Sequence, residues 1–266
     1  MTELERFFAA LRFFTRLPVP AWVGHSEAQL DGAARYFPLA GILVGSIGAI
    51  ITWAAALVLP LVLAVILGMA ATILVTGAFH EDGFADACDG FGGGWKEGDE
   101  GRAQILAIMK DSRVGSYGAI GIALMLLAKW NALMEISDEA LPFVIVAAHA
   151  MSRFAAVTLI FALDYVREEG KSKPLVKHAR PPQVFRPLGG ERREAALSGG
   201  GIGKRMGAGE LMLAGAFGLL PCLLLPYTET LVALAMAALA AFLCARYFVR
   251  RIGGYTGDCL GATQQV

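Results

Sequence analysis

From Tyr36 to Phe79 the chain carries no Asp, Glu, Lys, Arg or His. A helix needs about 20 apolar residues to cross the hydrocarbon core of a bilayer. The stretch is therefore long enough for two crossings, Tyr36–Leu59 and Leu61–Phe79, with Pro60 between them. Lipid offers no partner to a free backbone N–H or C=O, whereas a helix satisfies its own. Four more apolar runs, near Gly118–Met134, Ala140–Leu163, Ala208–Tyr227 and Leu231–Val249, approach the same length. None alternates as a barrel strand would. With 56% hydrophobic and only 17% charged residues, the chain lies well below the roughly 25% charge of a soluble domain. The expectation is an all-α, polytopic integral membrane bundle of about six spans, one membrane-embedded domain over residues 1–266.

The net charge is zero, but its placement is informative. The turns at Pro60, Glu135–Glu139 and Tyr227–Thr230 lack Lys and Arg. Arg6, Arg12, Arg16 and Arg35 precede the first run, and Lys96, Arg102, Lys110 and Arg113 follow the second. The stretch from Arg167 to Arg205 is rich in both residues, and Arg246, Arg250 and Arg251 close the last run. The positive-inside rule then places the N-terminus and two loops, about 80–117 and 164–207, in the cytoplasm. Leu4, Phe7, Phe8, Leu11 and Phe14 share one face of an N-terminal helix ringed by Arg6, Arg12 and Arg16, which reads as an interfacial helix or as a packed one. No signal peptide is visible. Cys88, Cys222, Cys244 and Cys259 form no CxxC and read as free thiols.

Immediately after the uncharged stretch comes FHEDGFADACDGFGGGW, in which Glu81, Asp82, Asp86 and Asp89 crowd together. If the second span continues as a helix, Asp82, Asp86 and Asp89 fall at i, i+4 and i+7, within an arc of about 60°. Three like charges on one face repel, and a divalent cation would offset the repulsion: Mg²⁺ takes carboxylate oxygens, keeps waters and pairs with substrate phosphates. Glu81 lies off to the side of this face. Asp111, in IMKDSRVGSYG, could complete a site for one or two metals. A solvated acidic loop is the alternative. EF-hand spacing is absent.

Other features belong with this cluster. Gly90, Gly92, Gly93 and Gly94 end the acidic segment and could offer N–H groups to an anion. GFGGGW is not GxGxxG, because Trp95 holds the last position, and GGGIGKR at Lys204 is not a P-loop, because Ser198 and Arg205 break the pattern. Arg153 lies near the middle of the fourth run with His149 one turn earlier, and Lys129 with Asn131 interrupts the third. A charge at a helix centre costs about 2.5–3.5 kcal/mol to insert and normally faces a partner or a wet cavity. For Arg153 the options are a structural pair or a cation that meets phosphates held on metal. Acids, metal and basic residues at the mouth of a helical bundle describe a site for phosphoryl or phosphodiester transfer.

FHEDGFADACDGFGGG, IMKDSRVGSYG and GGYTGDCLGATQQ at Gly253–Gln265 resemble three signature blocks of bacterial cobalamin synthase, adenosylcobinamide-GDP ribazoletransferase. FFTRLPVP, FPLAGILVG, MSRFAAVTLI and DYVREEG also fit, with Val166 where the family tends to Ala. The resemblance implies a Mg²⁺-dependent enzyme of the bacterial inner membrane with its active site facing the cytoplasm. It would transfer adenosylcobinamide phosphate from adenosylcobinamide-GDP to α-ribazole or its 5′-phosphate, with GMP released. On this reading Asp82, Asp86, Asp89 and Asp111 carry catalysis and, with Glu81, hold metal; Asp89 or Asp111 is the first candidate for the base. Lys110, Ser112, Arg113, Arg153 and Arg167 would meet phosphates, and Asp258 would contact substrate. His80 reads as a structural or supporting histidine. Partners would be the two substrates and the bilayer, with other corrinoid-pathway enzymes or a second copy conceivable and nucleic acid not expected. Family members usually continue through another apolar run after GATQQ.

Two other classes compete. CDP-alcohol phosphotransferases also set carboxylates along helices, but DGFAD puts Ala85 one position early and Asp86 where their pattern has Ala. A cation-coupled transporter would hold its site near the bilayer midplane, whereas these acids stand at the end of a span.

Overall fold

A computed structural model of the chain describes residues 2–23, 32–167 and 206–266. Among these residues the regular elements are helices, and the only β pairing is an isolated bridge between Tyr165 and Tyr255. Helix α1 (Glu3–Phe14) starts from a capping box in which Thr2 and Glu5 satisfy each other's backbone N–H. Its apolar edge packs inward: the Phe14 ring lies 4.3 Å from Phe37 and 5.1 Å from His80, while Leu4 at the other end stays exposed.

A 3₁₀ turn (Ala33–Tyr36) leads into α2 (Phe37–Ala56), which lies between α3 (Leu61–Thr76) and α7 (Leu141–Ala162). Gly41 and Gly45 allow the α2–α7 approach, since a Cβ on either would run into the backbone of His149 or Val146. Such small-residue contacts are how helices associate where lipid removes the hydrophobic drive. Helix α6 (Ser116–Met134) and α9 (Tyr227–Ile252) are mostly uncovered; Leu124, Leu127, Leu231, Val232 and Met236 project outward from them as a lipid-facing surface.

By length and composition alone, not all of the six apolar runs form one straight span. Four helical stretches are long and apolar enough to cross: Ala33–Ala56, Ser116–Met134, Leu141–Ala162 and Tyr227–Ile252. The run after Pro60 bends. Gly77 and Ala78 both adopt left-handed backbone, at φ 65° and 57°, and end α3; the acidic helix α4 (Phe79–Gly93) then leaves at 87°. Counting this bent pair as one span gives five. The acids thus sit on a separate helix rather than on a prolongation of the second span. The run at 208–227 is α8 (Ala208–Leu219) followed by a 3₁₀ turn, Leu220–Leu224, that contains Pro221, a residue without the N–H that an α-helix would use. Most of the expected loop at 80–117 is helical, comprising α4 and α5 (Gly98–Ile108). Residues 168–205 of the other expected loop, with the GGGIGKR segment, lie outside the described residues. The four cysteines are free.

The chain ends in a short helix, α10 (Gly257–Gln265), whose residues from Cys259 onward are all buried against α4 and α7. A nine-residue helix with Thr263, Gln264 and Gln265 inside a bundle needs polar partners there; Thr263 finds one within the helix, donating to Cys259 O at 2.8 Å.

The α3–α4 corner yields a test. Val at position 77 would place a β-branched side chain in left-handed backbone and against Arg16. That backbone alone costs an L-residue about 1–2 kcal/mol, so Gly77→Val should lower the thermal midpoint of the detergent-solubilised protein by several degrees. An unchanged midpoint would mean that the corner is not held as described.

Candidate active site

Two short helices, α4 and α10, build the site by lying almost backbone to backbone. A Cβ on Gly83 would sit 3.1 Å from Asp258 Cα and 3.4 Å from Gly261 Cα. Thr256 caps α10 by accepting the Cys259 N–H, which puts Asp258 in its first turn. There the charge of Asp258 acts on Asp86, and Asp82, one turn earlier on α4, adds a further negative charge. Asp82 is exposed, Asp86 half-buried and Asp258 mostly covered. Among the described residues, the cation bonded to this group is Arg167, whose Nη2 donates to Asp258 Oδ2 at 2.6 Å. It is delivered by the bridge: Tyr255 N donates to Asp164 O at 2.9 Å and Val166 N to Tyr255 O at 3.0 Å. Burial, together with the nearby Asp82, pushes the Asp258 carboxyl above its ordinary range against the pull of Arg167.

The remaining sequence candidates go elsewhere. Asp89, on the same face of α4, is buried with both oxygens engaged: Oδ2 accepts the Gly115 N–H at 2.7 Å and Oδ1 the Gly118 N–H at 2.8 Å. Asp111 closes a local turn, accepting from the Arg113 guanidinium and backbone N–H, and this pairing holds its carboxyl down at about 2. Lys110, Ser112 and Arg113 are exposed on the same turn between α5 and α6. Glu81 points away from Asp82 into the bundle, where its Oε1 accepts from Gln265 Nε2 at 2.9 Å.

That interior is a second polar network. Arg153 is 1% exposed. Its Nη1 donates to His149 Nδ1 at 3.1 Å and to His149 O at 2.9 Å, and its Nη2 donates to His80 Nε2 at 3.1 Å. A guanidinium can only donate, so each ring carries its proton on the other nitrogen. Lys129 donates to Gln265 Oε1, so Gln265 joins Lys129 to Glu81, the carboxylate that faces both Lys129 and Arg153. These groups border a cavity of about 470 Å³ between α3, α6, α7 and α9, lined mainly by apolar side chains. Sequence reasoning missed the glutamines. The signal was there, in two consecutive amides ending a block that also carries Asp258.

Among the described residues no three His, Cys, Asp or Glu side chains converge tightly enough to hold a metal on their own. Mg²⁺ does not require that, because it commonly takes one or two carboxylates and completes its shell with water and substrate phosphate. Asp82 and Asp86, one turn apart and crowded by Asp258, are a donor set of that kind.

Residues 6–189 and 191–266 match the family model described as cobalamin-5-phosphate synthase. A protein of Ralstonia pickettii (strain 12J) named adenosylcobinamide-GDP ribazoletransferase is 43% identical over 98% of this chain and 91% of its own length. Proteins of the same name from Shewanella frigidimarina (strain NCIMB 400) and Ralstonia nicotianae (strain ATCC BAA-1114 / GMI1000) are 42% and 45% identical. They align over 100% and 97% of this chain, and over 92% and 89% of their own lengths. No solved structure matches the chain.

The interior network makes its own prediction. Glu81→Gln leaves Lys129 and Arg153 buried without their carboxylate, and stranding a buried charge costs about 3–5 kcal/mol. The yield of folded, monodisperse protein after detergent extraction should collapse and should recover in part with Glu81→Gln/Lys129→Gln. A stable single variant would show that Glu81 is not the counter-charge.

Proposed function

The chain belongs to the cobalamin-5-phosphate synthase family, and we propose that it transfers adenosylcobinamide phosphate from adenosylcobinamide-GDP to α-ribazole or its 5′-phosphate, releasing GMP. The observation that carries this reading is the meeting of two motif blocks: α4 and α10 pack almost backbone to backbone at Gly83 and Gly261, which brings the charge of Asp258 to Asp82 and Asp86. In the reaction the ribazole 3′-hydroxyl attacks the phosphorus nearest the cobinamide. A bond from that oxygen to phosphorus forms, the bond from phosphorus to the bridging oxygen breaks, and GMP departs with the bridging oxygen.

The hydroxyl proton needs an acceptor with some affinity for it. Asp258, raised by burial, suits that task. Asp111, held at about 2 by Arg113, is a weak base. Arg167 beside Asp258, with Lys110, Ser112 and Arg113 exposed on the α5–α6 turn, supplies groups for the diphosphate. Arg153 serves the bundle interior instead, since both its Nη atoms are bonded to histidines. Mg²⁺ on Asp82 and Asp86 would neutralise charge on the diphosphate and on the leaving oxygen. The Lys and Arg asymmetry supports a site on the cytoplasmic side of the inner membrane.

Protein purified into lipid should release GMP from adenosylcobinamide-GDP only when α-ribazole and Mg²⁺ are both present. Asp82→Asn should lower kcat by roughly hundredfold or more while the protein stays folded. Ribazole-independent release, or full activity in EDTA, would contradict the proposal.

A further inference from the structure

The sequence puts Asp89 with Asp82 and Asp86 as one acidic face, and spacing alone cannot separate their roles. The structure does. Asp89 directs both carboxylate oxygens at backbone N–H groups of a different helix: Gly115 at the N-cap position of α6 and Gly118 in its first turn. The first N–H groups of a helix have no partner within it, and a carboxylate there is favoured by both hydrogen bonding and the helix dipole. No α6 side chain provides this cap; Gly115 has none to offer. We propose that Asp89 is a positioning residue, a cap supplied from α4 to α6, and that it holds the Lys110–Arg113 turn in register with the Asp82–Asp86 face.

The sequence of α6 is cut to fit this contact. Gly115, Gly118 and Gly121 recur every three residues along the side of α6 that meets α4. A Cβ on Gly115 would collide with the Asp89 carboxylate. One on Gly118 would meet Asp89 Oδ2 and Ala85 O, and one on Gly121 would lie 2.7 Å from Cys88 Sγ. The stripe GSYGAIG is the track on which α6 lies against α4, and Asp89 fixes where along the track it stops. A second consequence concerns phosphate. A helix N-terminus next to a phosphotransfer site would be a ready anion site, but this one is filled by the protein's own carboxylate. Among the described residues, Lys110, Arg113 and Arg167 are the groups placed to meet substrate phosphates. Only the kinetic consequences rest on the proposed transferase reading; the cap itself can be tested without turnover.

The first test uses the unaltered protein in lipid nanodiscs and reads backbone amide hydrogen exchange across residues 112–121, with and without saturating Mg²⁺. A cap predicts protection at Gly115 and Gly118 that Mg²⁺ leaves unchanged. Loss of that protection on adding Mg²⁺, as the carboxylate swings to the metal, would overturn the proposal. So would exchange at those amides as fast as in an open loop. The second test uses Asp89→Asn, which retains one acceptor and turns an amide toward the other N–H. Exchange at Gly115 and Gly118 should quicken about five- to tenfold, in line with the loss of a helix cap. The kcat for GMP release should fall, while the Mg²⁺ concentration for half-maximal rate stays within twofold. A shift of that concentration by tenfold with unchanged exchange would make Asp89 a metal ligand and sink the idea. If Asp89→Asn does not fold, the exchange measurement on the unaltered protein decides alone.

Discussion

The polar chemistry of this bundle depends on how closely α4 and α10 approach. Gly83 and Gly261 leave no side chain between them, so two short helices with charged flanks lie nearly in backbone contact. One flank of the pair gathers Asp82, Asp86, Asp258 and Arg167; the other gathers Glu81 and Gln265 with Lys129. The same contact therefore builds both the carboxylate group proposed to serve the reaction and a hydrogen-bonded anchor inside the bundle. Substitution at either glycine would disturb both flanks together.

The two flanks also show how one segment tolerates four acids. Repulsion among exposed carboxylates costs only a few tenths of a kcal/mol per pair, and here it is further divided. Glu81 offsets Lys129 and Arg153 in the interior, and Asp89 is absorbed by the start of α6. Only Asp82 and Asp86 remain under the influence of Asp258, and in the proposed reaction a divalent ion and a diphosphate would reduce that charge. Arg153, costly at a helix centre in lipid, is surrounded by His80, His149 and the ring of Phe14, 6.0 Å from its guanidinium carbon.

Much of this was legible in the residues. The uncharged stretch from Tyr36 to Phe79, together with the later apolar runs, dictated a helical membrane protein. The blocks around Asp82, Asp111 and Asp258 carried the family resemblance to a ribazole-transferring enzyme, and the full-length relatives bear the family out. What the sequence could not show were directions in space. Hydropathy reads a continuous apolar run as a straight span, but the Gly77–Ala78 corner depends on backbone dihedrals that Ala does not advertise. Helical periodicity put Asp89 beside Asp82 and Asp86, and only the fold shows which neighbour its oxygens meet. Gln265 and Glu81, at opposite ends of the long-range order, could be paired only once α10 was seen to lie on α4.

The central claim is that carboxylates from the two helices act as one site. A double-mutant cycle on kcat/KM for GMP release, built from Asp86→Asn, Asp258→Asn and the double variant, measures it most directly, because residues of one unit show strong non-additivity. The double variant is expected to be scarcely worse than the more damaged single one. Fully multiplicative losses would mean that α4 and α10 act independently and would contradict it.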